Sequence, residues 1–93
     1  MSISTPSHEV EILARTIRPD NADLSDDAAR SLLALKLTDG DRDRVNGLLA
    51  KAREGALTAE ERSELDDYER VASLLEILQS KARLSLRRAG LSP

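Results

Sequence analysis

The chain has no cysteine, phenylalanine or tryptophan, and Tyr68 is its single aromatic residue. Without cysteine there is no disulfide framework, no thiolate nucleophile and no cysteine-ligated zinc. With Tyr68 alone there is no stacking platform of interleaved aromatics of the kind that single-stranded nucleic acid uses. Basic excess is also missing: the net charge is −3 at pH 7, so the surface as a whole has no tendency to condense onto nucleic acid or anionic lipid. No apolar run approaches the roughly 18 residues of a membrane span, and no basic start followed by a hydrophobic stretch marks the first twenty residues. These absences lead to the expectation of a soluble, cytoplasmic chain that contacts neither membrane nor, over its whole surface, nucleic acid.

What is present is a helix-former's composition, with sixteen leucines and twelve alanines among 93 residues. A chain of this size buries only about 60–65% of its unfolded surface, so one thin-cored domain is expected over 8–93, preceded by a disordered tail over 1–7 that contains Pro6. Val10, Leu13, Ala14 and Ile17 recur at helical spacing, and Pro19 ends that pattern, which predicts a helix over 8–17. Ser25 followed by Asp26 and Asp27 has the chemistry of a helix start, and the apolar periodicity carries the second helix to about residue 37. Thr38 with Asp41 predicts a third helix over 39–54, with Val45, Leu48, Leu49 and Ala52 as its inward stripe.

The sharpest local signal lies between the third helix and the fourth. Gly55 suits the left-handed position that closes a helix, and Thr58 with Glu61 has the spacing of a capping box that opens the next one. So short a connection predicts an antiparallel helical hairpin. The fourth helix is expected over 59–89, with Gly90 as its stop, and at 1.5 Å per residue it is about 45 Å long. The third helix, about 24 Å long on the same rise, leaves half of it without a hairpin partner.

That long helix carries the functional expectation. Leu65, Tyr68, Ala72, Leu75, Gln79, Ala82 and Leu86 form a seam of alternating three- and four-residue steps. Val71, Leu74, Ile77, Leu78 and Leu84 fall on other azimuths, and a helix apolar over most of its circumference must be covered over most of it. Val71, Leu74, Leu75, Ile77 and Leu78 are therefore the expected oligomer interface, a dimer being the simplest form. Charge agrees: the six acids of 59–70 outnumber Arg62 and Arg70 to give −4, whereas Lys81, Arg83, Arg87 and Arg88 give 81–93 a charge of +4. Two copies packed antiparallel set acidic ends against basic ends. Alternatively, the same distribution simply complements the helix macrodipole.

Chemistry-bearing patterns are few. Asp39, Asp41 and Asp43 have the alternate spacing of a calcium loop, but the sixth and twelfth positions are Arg44 and Ala50 rather than Gly and Glu. His8, the only histidine, has no cysteine or carboxylate pair to share a metal with. Glu60, Glu64 and Asp67 lie on neighbouring turns, yet acid–base work requires a dry, concave site to shift their pKa values. No phosphate-binding glycine loop or nucleophile motif occurs, so no enzymatic activity, cofactor or metal is expected. Gly47, inside the third helix, is expected either to admit another backbone closely or to be tolerated at a cost of about 1 kcal/mol.

Residues 31–86, SLLALKLTDGDRDRVNGLLAKAREGALTAEERSELDDYERVASLLEILQSKARLSL, resemble a group of short bacterial proteins. The segments that carry the resemblance are LLALKLTDGDRDRVNGL, AKAREGALTAEERSELDDY and LLEILQSKARLSL. Members of that group tend to be encoded beside small HNH-type nucleases or toxin-like genes, which implies a cognate inhibitor, antitoxin-like protein or accessory subunit and transfers no catalytic residue. On that reading Glu60, Glu61, Glu64 and Asp67 form an acidic partner-binding surface suited to a basic nuclease cleft. The alternative expectation is a small dimeric DNA-binding regulator that contacts phosphates through Arg83, Arg87 and Arg88.

Overall fold

The computed structural model describes residues 8–91, and the tail expected over 1–7 lies outside them. The described residues are all-helical, without a strand: α1 is His8–Ile17, α2 Asp26–Leu33, α3 Asp39–Arg53 and α4 Ala59–Arg88. None of these helices is long and apolar enough to cross a membrane.

Each boundary has a local cause. Ser25 accepts the amide of Ala28 at the start of α2, and Thr38 accepts that of Asp41 at the start of α3. Asp41 is one methylene shorter than the Glu of a full capping box; its carboxylate accepts from the Thr38 hydroxyl. Thr58 and Glu61 complete the reciprocal box, with the Glu61 amide donating to Thr58 Oγ1 and the Thr58 amide to Glu61 Oε1, both at 3.0 Å. Gly55, at φ +68°, and Gly90, at φ +79°, close α3 and α4. In both cases the glycine amide and the one after it return to the last turn: Gly55 to Ala52, Ala56 to Lys51, Gly90 to Arg87 and Leu91 to Leu86. At the end of α1, Arg18 takes the left-handed conformation at φ 58°, immediately before Pro19.

Two expectations need correction. The second helix stops at Leu33 rather than near residue 37, because Ala34 caps it and the carbonyls of Leu32 and Leu35 are captured by the Gln79 side chain. Leu49, expected on the inward stripe of α3, is exposed, whereas Leu48 is fully buried.

The chain forms two compact units, one made of residues up to Leu35 together with those from Ala72 onward, the other of Lys36–Val71. α4 contributes its first part to the second unit and its last part to the first. In the Lys36–Val71 unit, Leu48 and Leu65 are the buried apolar side chains. α3 and α4 are joined there by Lys51–Glu61, Arg44–Glu64 and the Tyr68 hydroxyl on Asp41. In the other unit, Ala29 of α2 with Ala82 and Leu86 of α4 forms the core, and Leu24, Leu32, Leu33 and Leu91 pack against it. Both cores are small. Fully burying a leucine contributes about 1.5–3 kcal/mol, while ordering each residue costs about 1–2 kcal/mol of backbone entropy.

Candidate functional site

The residues expected at an oligomer interface all lie on α4, in a stretch that the core uses sparingly. Val71 is 49% exposed, and Leu74, Leu75, Ile77 and Leu78 are each half-buried. None of the five is buried, whereas Ala82 and Leu86, a turn or two further on, are completely enclosed. The reason lies in the neighbouring helix: the core cluster takes its α2 contribution from Ala29, Leu32 and Leu33, opposite the later turns of α4.

The acidic start of α4 is partly engaged within its own unit. Arg44 reaches Glu64 with two parallel bonds of 2.8 Å, and Lys51 Nζ lies 2.5 Å from Glu61. The Lys51 ammonium, then the Thr58 amide, hold the Glu61 carboxyl down at about 2. Arg44 likewise lowers Glu64, and Glu64 in turn raises Arg44. Asp67 pairs with Arg70 one turn on, and Glu60 is exposed. Two of the six acids are thus neutralised by α3, which brings the local balance from −4 to −2. Beside them, the Tyr68 hydroxyl donates to Asp41 at 2.7 Å; that bond, then the Thr38 hydroxyl, lowers Asp41, and the same Asp41 bond raises the phenol.

At the other end of α4 the basic residues divide. Arg83 bonds to Glu76 at 2.8 Å and also reaches Ser80, whereas Arg87 and Arg88 are exposed and make no ion pair with a described residue. Lys81 is not a surface cation at all. It is 9% exposed, its ammonium donates to the Ile17 carbonyl at 2.6 Å, and it lies 2.7 Å from Asp23. The hydrogen bond from Lys81 is the main cause that lowers the Asp23 carboxyl.

Lys81 belongs to a set of polar side chains whose role polarity alone does not reveal. Gln79 Nε2 donates to Leu32 O at 3.1 Å and Leu35 O at 2.8 Å, covering the carbonyl end of α2. Ser85 Oγ accepts the Leu24 amide at 3.2 Å, just ahead of the Ser25 cap. Helix ends carry orphan amides and carbonyls, and here α4 supplies their partners. The available signal is positional: Gln79 and Ser85 stand three residues either side of the enclosed Ala82, on the face where an unpartnered polar group is most costly.

Among the described residues no group of three or more His, Asp or Glu side chains has the geometry to hold a metal ion. No protein family, curated protein or solved structure matches the chain.

Proposed function

We propose that this chain is a non-enzymatic, cytoplasmic protein-interaction module that self-associates through α4. The observation that carries the reading is the incomplete cover of Val71, Leu74, Leu75, Ile77 and Leu78, five large apolar side chains in eight residues with none enclosed. The occupant it favours is a second copy. After internal pairing the start of α4 keeps a surplus of two negative charges, and Arg87 and Arg88 supply two positive ones at its end, so antiparallel copies remain complementary. Within one chain we read α3 and α4 as a hairpin, a reading supported by the pairing of residues 41, 44 and 51 with 68, 64 and 61, in opposite order along the two helices.

A catalytic role gains no support from the carboxylates. Asp41, Glu61 and Glu64 are each held by a donor and lowered, the reverse of what a general acid at neutral pH requires. The resemblance to proteins encoded beside nucleases adds a cognate protein as second partner. With Glu61 and Glu64 already paired, Glu60 and Glu69 are the exposed acids left to meet it. The exposed Arg87 and Arg88, without an ion pair among the described residues, favour one further reading, a dimeric DNA binder, whose affinity falls steeply with added salt.

Sedimentation equilibrium at micromolar concentration tests self-association. A dimer is expected, Val71→Asp dissociates it while circular dichroism remains helical, and Arg87→Ala weakens it far less. A compact monomer at that concentration overturns the reading.

A further inference from the structure

We propose that α1 is a detachable strap, anchored at its C-terminal end by Lys81, which leaves and rejoins its unit as one piece while the core between α2 and α4 stays closed. This inference is independent of whether copies of the chain associate.

Three observations meet here. First, α1 buries no residue: its inward stripe of Val10, Leu13, Ala14 and Ile17 is only half-covered, and Ile12 is 51% exposed. Second, the core of the unit does not include it. Ala29, Ala82 and Leu86, with Leu24, Leu32, Leu33 and Leu91 around them, come from α2, α4 and the segments beside them, so removing α1 deletes no member of that cluster. Third, the end of α1 is fastened by a buried cation. Lys81 Nζ holds the Ile17 carbonyl and is itself fixed by Asp23, in the link between α1 and α2. The fastening lies next to Arg18, whose left-handed backbone and following proline set the exit from the helix. Because the stripe interlocks so little, the carbonyl tie decides whether the end of α1 stays docked, and loss of the end releases the short helix behind it: a helix of ten residues does not persist alone in water.

Amide hydrogen exchange on the full chain, read residue by residue, tests this. The informative amides are 12–18, since the first four of a helix have no acceptor within it. A strap that opens as one piece gives these amides a common protection, lower than that of residues 82–88. Lys81→Met then lowers the protection of 12–18 together, by about tenfold, while 82–88, whose exchange reports full unfolding, fall by no more than the same factor and stay above them; unchanged protection over 12–18 overturns the anchoring role of Lys81. Asp23→Asn, at a side chain 57% exposed, has the same direction and a smaller size. If wild-type protection over 12–18 equals that over 82–88, α1 belongs to the core and the proposal fails. It fails equally if protection rises steadily from residue 12 to residue 18, because that gradient is fraying rather than release.

Discussion

Replacing Lys81 by Met keeps an unbranched side chain of similar reach and removes the ammonium. The structure gives the terms of the change. The Ile17 carbonyl loses a 2.6 Å charge-assisted bond, and bonds of that kind contribute about 1.5–3 kcal/mol net. The Asp23 arm counts for less, because that carboxylate is more than half exposed and water screens it. Against the loss stands a gain, since methionine does not need the desolvation that a cation with only 9% of its surface exposed requires. The balance is a destabilisation of about 1–2 kcal/mol, or roughly 5–15 °C in Tm for a chain of this length. Urea unfolding followed by circular dichroism measures it, at several protein concentrations so that any subunit linkage is separated from the protomer's own stability. Lys81→Met as stable as wild type, or more so, would refute the reasoning: the desolvation of Lys81 would then outweigh its hold on α1.

Two further changes probe other parts of the chain. Gly47→Ala is expected to stabilise by about 0.5–1 kcal/mol, because a methyl group there meets nothing within 4 Å and alanine restricts the unfolded chain; unfolding shows it, and a loss of assembly in the same variant would mean that a partner's backbone passes over Gly47. The lowered Glu61 carboxyl sets an acid dependence. Its folded value of about 2 lies below its ordinary 4.5, so its contribution is complete above about 4.5 and is lost as pH falls towards 2; Glu61→Gln should flatten stability against pH across that window, and an unchanged acid limb would contradict the Lys51 and Thr58 assignment.

The parts of this fold legible in the sequence are those whose cause lies within a turn of the chain. Ser25, Thr38 and the Thr58–Glu61 box mark helix starts, and Gly55 and Gly90 mark stops, because a cap is a contact between residues two to five apart. The end of α2 was not legible, because the groups that take its last carbonyls come from Gln79, more than forty residues away. Lys81 misleads for a related reason: residue type gives its charge, but only packing shows that the charge is enclosed against Ile17 and Asp23. Of the acidic surface, Glu60 is exposed, whereas Glu61 and Glu64 are engaged by Lys51 and Arg44, pairs that depend on how two helices face each other. The apolar stretch from Val71 to Leu78 could be read from azimuth alone; how much of it the other helices cover could not.

Gln79, Lys81 and Ser85 also make part of α4 intolerant of changes in length. One residue inserted between positions 79 and 85 turns everything beyond it by about 100°, so the fastenings on its two sides no longer face the same way and cannot all be kept. An added residue beside Gly55 only lengthens a loop, at a small entropic cost. As this gene drifts, the spacing of those three residues is where deletions and insertions should be purged first, whatever the chain binds.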